Sequence, residues 1–283
     1  MNWIKKFPNI FVNTKKINGT YRIFKNMKNI QPPYSIYKND SIINWSNNDY
    51  NGLSRNKKIK KALIDGINKY GCGSSGTRNI GGSSIIHSNL ESKISQLHNK
   101  QESLLFGSGY LANLSSMQAL GSIFPGLEFF SDEYNHNSII NGMKLCSNKK
   151  HIYKHNDLNN LEYLLKKRDI FTKQKIIVCE SMYSTDGSLS ELNDIIYLKK
   201  KYDCLLFVDE IHAVGVHGKK GGGISDLLEI SDDIDIIMGG FGKGYGLIGG
   251  YLTGSNNLID AIRLSGSGFI FTTSLPPHII YGI

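Results

Sequence analysis

A lysine set between two glycines, Gly242-Lys-Gly244, and an aspartate with a histidine three residues on, Asp209-Glu-Ile-His212, are the residues of this chain best suited to chemistry. Each follows an apolar run of strand type, Ile236-Ile-Met-Gly239 and Cys204-Leu-Leu-Phe-Val208. In open parallel sheets, ligands sit outside the carboxyl ends of the strands, so residues just beyond such runs matter most. Three more strand ends join them. Gly107-Ser-Gly-Tyr110 follows Ser103-Leu-Leu-Phe106 and opens a helix, whose N–H groups and dipole suit a phosphate. Asn135-His136 follows Phe129-Phe-Ser131, and Ser184 follows Lys175-Ile-Ile-Val-Cys-Glu180.

A lysine amine can condense with an aldehyde, and small neighbours such as Gly242 and Gly244 let a cofactor come close. A nearly buried carboxylate, Asp209, keeps a pyridine nitrogen protonated so that the ring acts as an electron sink, and an aromatic such as His136 stacks on it. Those are the requirements of a pyridoxal phosphate site. Taken singly, Asp209 is a strand-end cap, Lys243 a solvated lysine, His212 a loop histidine and the glycines a turn. Their occurrence in order at successive strand ends is what sets the group apart.

The elements that must position these residues follow from the apolar pattern. Ile59, Leu63 and Ile67 recur four apart and predict a helix over residues 55–70. A glycine-rich loop follows at 71–82, and Ser88 with Glu91 forms a capping box opening a helix with Leu90, Ile94 and Leu97 inward. Strands at 103–106, 175–180, 204–209, 235–238 and 249–252 alternate with helices from near Leu111 and over 191–202. Continuous apolar strands separated by helices predict an α/β fold, with a mostly parallel central sheet covered on both faces. Residues 1–47 read as an irregular polar lead-in, with Pro32-Pro33 as a breaker before the strand-like Ser41-Ile-Ile-Asn-Trp45, and 48–283 as one large domain. The chain stops at Ile283 just as an apolar run begins, which reads as truncation.

Composition bounds the rest. With 40% apolar and 10% aromatic residues the 283-residue chain can bury a core, which excludes disorder as its main state. It has no apolar run of about 18–20 residues, so no membrane partner is expected. Thirty glycines without a three-residue period and four cysteines exclude collagen-like and disulfide-framework classes. The +9 charge comes mainly from scattered lysines, with only five arginines and no basic–aromatic stripe, so no nucleic-acid partner is expected. Where lysine is so favoured, Arg22 and Arg78 stand out as sites for a planar bidentate donor. Cys72, Cys146, Cys179 and Cys204 show no zinc-ligand spacing, and no metal is expected. The N-terminus has no apolar signal core, so a bacterial cytoplasm is expected, with the mitochondrial matrix as alternative.

The chain resembles the α-oxoamine synthases among the fold-type I pyridoxal phosphate enzymes. The resemblance runs from about Tyr21 to the last residue. It is carried by Asn48-Asp-Tyr50, Gly76-Thr-Arg-Asn-Ile80, Ser131-Asp-Glu-Tyr-Asn-His136, His155-Asn-Asp157, Val208-Asp-Glu-Ile-His-Ala-Val-Gly215, Gly221-Gly-Gly-Ile224 and Gly268-Phe-Ile-Phe-Thr-Thr-Ser-Leu-Pro-Pro277. It points most closely to the branch that condenses glycine with succinyl-CoA to 5-aminolevulinate, CoA and CO2, for tetrapyrroles and haem. The resemblance implies a homodimer with active sites shared between subunits. Carried over, Lys243 binds the cofactor aldehyde and then serves as the base, and Asp209 pairs with the pyridine nitrogen. His212 and Ser184 meet the ring hydroxyl, His136 stacks on the ring, and Gly109 and Tyr110 lie at the phosphate and ring edge. Thr272 and Thr273 reach the neighbouring subunit's phosphate. Asn48 falls at the amino-acid end. Arg22, Ser131 and Lys150 match acyl-CoA contacts, which makes residues 1–47 an acyl-CoA-contacting lead-in, and Thr77, Asn79 and Ile80 match the succinyl pocket. Arg78 sits in that same motif, facing the anionic acyl substrate.

The chain departs from the family at Gly240, where a threonine usually donates to the phosphate. Its turn Phe241-Gly-Lys-Gly244 is nearer the biotin-pathway sister, and Gly81-Gly82 replaces a more usual Ser-Gly-Thr run. The family's small C-terminal domain, with the arginine that holds the glycine carboxylate, is not found in it. The alternatives are 8-amino-7-oxononanoate synthesis, glycine C-acetyl transfer, or a truncated non-catalytic remnant.

Overall fold

The computed structural model describes residues 3–31, 33–169 and 174–283, in two compact units, Met1–Asn47 and Asn48–Ile283. The first unit holds α1 (Trp3–Ile17) and a three-stranded antiparallel sheet of β1 (Lys28–Gln31), β2 (Tyr34–Tyr37) and β3 (Asp40–Ile43). The irregular lead-in expected over this stretch is therefore corrected. The helix runs through Pro8, with none of its side chains buried. Its apolar residues Trp3, Phe7 and Phe11 lie more than half exposed.

The second unit runs α2 (Lys57–Tyr70), α3 (Ile85–His98), β4 (Glu102–Phe106), α4 (Gly109–Ile123), β5 (Glu128–Asp132), α5 (Asn137–Lys144), β6 (Lys150–Tyr153), α6 (Leu158–Asp169) and β7 (Lys175–Glu180). It continues with α7 (Leu192–Lys201), β8 (Leu205–Asp209), α8 (Ile224–Leu227), β9 (Ile236–Gly240), β10 (Gly250–Gly254), α9 (Asn256–Ser265), α10 (Ser267–Ile270) and α11 (Pro277–Gly282). Seven strands form one sheet in the order β4-β10-β9-β8-β7-β5-β6. β5 to β9 are parallel, and β10 runs antiparallel to both β4 and β9.

Strand pleating divides the apolar runs between two cores. Ile176, Val178, Phe207, Ile236 and Met238 pack on one face with α4, while Ile177, Cys179, Leu206, Val208 and Ile237 pack on the other with α6 and α7. Each large side chain buried this way contributes about 1.5–3 kcal/mol, which is why the middles of these strands are apolar on both faces. The register then lines up the chemistry. Glu180 pairs with Asp209, Asp209 with Met238, and Gly250 faces both Gly240 and Phe106. The carboxyl ends of β4, β7, β8 and β9 thus lie along one rim.

The capping box expected at Ser88 and Glu91 is also corrected. α3 begins four residues earlier, with Ser84 as its cap residue, and Ser84 Oγ meets His87 Nδ1 at 2.9 Å. The Glu91 carboxylate is taken by Arg78 in a two-pronged contact of 2.7 and 2.9 Å, and by the Leu105 N–H at 3.0 Å. A planar guanidinium matches a carboxylate better than one helix-end N–H does. The glycine-rich loop is likewise tied down. Ser74 Oγ donates to the Ser274 carbonyl at 2.9 Å, and Ser274 Oγ donates to the Gly82 carbonyl at 2.6 Å.

Candidate active site

Asp209 ends β8 and Glu180 ends β7, side by side and both almost wholly buried. Asp209 Oδ2 accepts from Asn113 Nδ2 at 2.7 Å and Oδ1 from the Ile211 N–H at 2.9 Å. Burial raises the pKa of both carboxyls, and the neighbouring Asp209 charge raises Glu180 further. The donors around Asp209 and the nearby Lys243 favour its ionised form, so Asp209 carries the negative charge and Glu180 stays neutral.

Lys243 lies in the connection between β9 and β10. Phe241 N–H donates to the Gly249 carbonyl at 3.1 Å, Leu247 N–H to Phe241 at 2.8 Å and Gly246 N–H to Lys243 at 2.9 Å. Asn51 Nδ2 bonds the carbonyls of Gly215 and Gly244 at 2.7 and 2.9 Å, joining this connection to the segment after β8. The Lys243 amine meets His212 Nε2. Burial lowers the lysine's pKa, with the Asp209 charge partly restoring it. His212 is pushed down to about 4 by burial and then by Lys243 and His136, and its Nδ1 meets Tyr50 Oη at 2.8 Å. A half-buried amine of lowered basicity, beside a neutral imidazole and an anionic carboxylate, can bind a carbonyl carbon and pass a proton to or from its neighbours.

His136 is the cap residue of α5, and its main-chain N–H donates to Glu180 Oε1 at 2.6 Å. Ser184 also donates its backbone N–H to Glu180, so one buried carboxyl holds the segments after β5 and β7. Burial, then Lys243, keeps the His136 imidazole neutral. The Tyr110 ring stands edge-on to it at 6.4 Å, and Tyr110 Oη accepts from Asn141 at 2.9 Å. Gly109 and Tyr110 open the 15-residue α4, capped by Ser108 Oγ accepting from the Leu111 N–H at 3.2 Å. A Cβ on Gly107 or Gly242 meets nothing nearer than 3.8 Å, an ordinary contact, whereas one on Gly244 falls 2.5 Å from the Val214 carbonyl oxygen, so of the two glycines beside Lys243 only Gly242 has room to spare. At Gly240 a Cβ falls 2.8 Å from Ile211 Cδ1, so Ile211 fills the room that a threonine side chain needs there. A helix start, a buried anion, a low-basicity amine and open glycine turns fit pyridoxal phosphate.

Lys243, Asp209, His212, His136, Gly109 and Tyr110 are thus brought together, with Ser184 tied in through Glu180. The remaining expected residues are placed differently. Ser131 is wholly buried on β5, where Asn135 Nδ2 donates to its Oγ at 2.8 Å, and it offers a substrate no surface. Lys150 donates to the Cys146 carbonyl at 2.6 Å. Arg78 is turned onto Glu91 rather than toward a substrate. Asn79, Ile80, Asn48 and Thr273 are exposed, and Thr272 is half-buried. The buried hydroxyl of Thr77 has no hydrogen-bond partner among the described residues. Arg22 belongs to the first unit, in a concavity with Phe11, Lys15 and Tyr21. Glu180 and Asn113 were not foreseen. Asn113, alone and polar between Ala112 and Leu114 and one turn after Gly109, was the available signal.

This fold and rim of groups define the class: the chain belongs to the aminotransferase class I and II family, whose model matches residues 40–281. Within it, the chain is 54% identical over 238 residues to the 5-aminolevulinate synthase of Rickettsia bellii, covering 84% of this chain and 57% of that protein. The chain therefore spans little more than half the length of that relative. A serine palmitoyltransferase of Sphingomonas wittichii superposes with a TM-score of 0.87 at 24% identity, over 98% of this chain and 70% of its own. The 8-amino-7-oxononanoate synthase of Francisella tularensis gives a TM-score of 0.71 at 29% identity, over 84% of this chain and 66% of its own. The fold is that of the fold-type I pyridoxal phosphate transferases. Among the described residues no helix is long and apolar enough to cross a membrane, and no cluster is arranged to hold a metal.

Proposed function

We propose that the chain carries the catalytic large domain of a pyridoxal phosphate-dependent acyltransferase that condenses glycine with succinyl-CoA, forming 5-aminolevulinate, CoA and CO2. The observation that carries this reading is the buried Asp209 beside the low-basicity Lys243 and neutral His212, in a chain 54% identical to a 5-aminolevulinate synthase. Lys243, Asp209, His212, Ser184, His136, Gly109 and Tyr110 hold the cofactor, with Thr272 and Thr273 reaching it across a homodimer. When bound, pyridoxal phosphate supplies the electron sink that makes an amino-acid α-proton acidic. Lys243, its basicity lowered by burial, takes up that proton at Nζ. Asp209 keeps a compensating negative charge at the rim without leaving its two hydrogen bonds. His212 carries no charge near neutral pH and orients the amine. Thr77, Asn79 and Ile80 take the succinyl end, and Arg22 and Lys150 the CoA, with Asn48 at the glycine, while the buried Ser131 takes no part. The proposed compartment is a bacterial cytoplasm, which the relation to the Rickettsia protein supports.

The test is to supply the chain with pyridoxal phosphate and follow exchange of glycine's α-proton into D2O by NMR, alone and with succinyl-, acetyl-, pimeloyl- or palmitoyl-CoA. We expect exchange that disappears in Lys243→Ala and is accelerated by succinyl-CoA above the other thioesters. Exchange indifferent to Lys243, or a preference for another thioester, counts against the reading.

A further inference from the structure

A chain of buried hydrogen bonds leads from Asp209 to the far nitrogen of His136. Asn113, 1% exposed, donates through Nδ2 both to Asp209 Oδ2 at 2.7 Å and to Ser138 Oγ at 3.0 Å. Ser138 Oγ lies 2.7 Å from His136 Nδ1, and the Ser138 N–H reaches the same nitrogen at 3.3 Å. Donor counting fixes the direction at each link. The Asn113 amide must turn its NH2 toward the anionic Asp209, because the flipped amide sets oxygen against oxygen. Its second hydrogen then occupies a lone pair of Ser138 Oγ. The hydroxyl's own proton is free to point at His136 Nδ1 at 2.7 Å, and the Ser138 N–H at 3.3 Å is a longer and weaker donor to the same nitrogen. Nδ1 therefore has to be an acceptor, which leaves the ring's proton on Nε2.

The geometry points to Asn113 and Ser138 as positioning residues that lock His136 as the Nε2–H tautomer, so that it presents a hydrogen-bond donor to the site in addition to a flat ring. This inference rests on the reading of His136 as a site residue. No partner for Nε2 is found among the described residues, whereas Nδ1 has two. A donor there suits an anionic or carbonyl oxygen of a ligand and rejects a cationic group. The neutral state that burial imposes on His136 is consistent with it. Glu180 fixes the other end of the same residue through its main chain, so ring orientation and proton position are set by two separate buried groups.

The test uses the whole chain, saturated with pyridoxal phosphate and labelled with 15N in its histidines. The wild type should show His136 with an unprotonated Nδ1 and a protonated Nε2 from pH 6 to 8. In Ser138→Ala and Asn113→Leu the other tautomer should rise by about tenfold or more, while Lys243-dependent cofactor absorbance persists. Ser138→Ala removes one oxygen and decides the matter if Asn113→Leu does not fold. A wild-type His136 protonated on Nδ1, or tautomer ratios unchanged in the folded variants, would falsify the relay. The tautomer is read without turnover. A chain that binds no cofactor but shows the Nε2–H form therefore supports the relay and overturns only the proposed activity.

Discussion

Arg78 shows how far a single side chain can be read before its neighbours are known. Its position in Gly76-Thr-Arg-Asn-Ile80 pointed to an anionic substrate, but its guanidinium is spent on Glu91, with side-chain exposures of 13% and 8%. Removing one member of such a pair strands the other charge in a dry site. Arg78→Ala is expected to cost about 3–5 kcal/mol in urea unfolding, whereas replacing both residues by Met and Leu should recover most of that. Unchanged stability with a raised acyl-CoA KM would instead restore the substrate role. Asp209, Lys243, His212 and His136 were legible because each closes an apolar run or sits in a glycine turn, where chemistry and topology coincide. Asn113 and Glu180 were not, because one lies inside a helix and the other was read only as the last residue of a strand. Their importance is their partners, and partners across the sheet leave no local spacing.

At the scale of elements, the strands buried in the middle of the sheet were legible, and its edge and the starts of the helices were not. β7 was read at its observed bounds because every residue from Lys175 to Glu180 is buried, so its apolar run has no solvent face to interrupt it. β6 went unread because Lys150-His-Ile-Tyr153 lies at the sheet edge, where half-buried polar residues are tolerated. α1 was hidden by Pro8 and by the lack of any buried face. The element that matters most for the site is the start of α4. A Cβ on Gly250, the first residue of β10, falls 2.6 Å from the Gly109 nitrogen and 2.7 Å from its Cα, both main-chain atoms that cannot rotate away. Gly250→Ala must push the helix start off the rim. We expect at least a tenfold weaker pyridoxal phosphate affinity by absorbance titration, with about 1–3 kcal/mol lost from overpacking. Unaltered affinity would show that the start of α4 takes no part in holding the phosphate.

Over the whole molecule, buried histidines and buried carboxyls pull stability in opposite directions as pH changes. His98, at the end of α3, meets Tyr251 Oη at 2.8 Å and is pushed down to about 4 by burial. Its ordinary value is 6.5. Between these values the unfolded chain takes up a proton that the folded chain refuses. The contribution of His98 is therefore complete above about pH 6.5 and lost as pH falls toward 4, about 3 kcal/mol in all. Asp209, Glu180 and Glu210, raised by burial, act oppositely: their contribution is present below the unfolded carboxyl value and is lost as pH rises through the folded one. The overall profile is flattened, so the histidine is best seen by difference. Urea midpoints at pH 7 and 4.5 should fall less in His98→Gln than in the wild type, and parallel falls would remove His98 from the account.

The connection from β9 to β10 joins two strands that lie side by side, and three main-chain hydrogen bonds cross it. The peptide that carries Lys243 is consequently a fixed mount. Whatever reach the lysine needs to let go of one bonding partner and visit another comes from the torsions of its own four methylene groups. The proposed function then asks for no hinge at this point, and the amine swings like a crane arm on a stationary base.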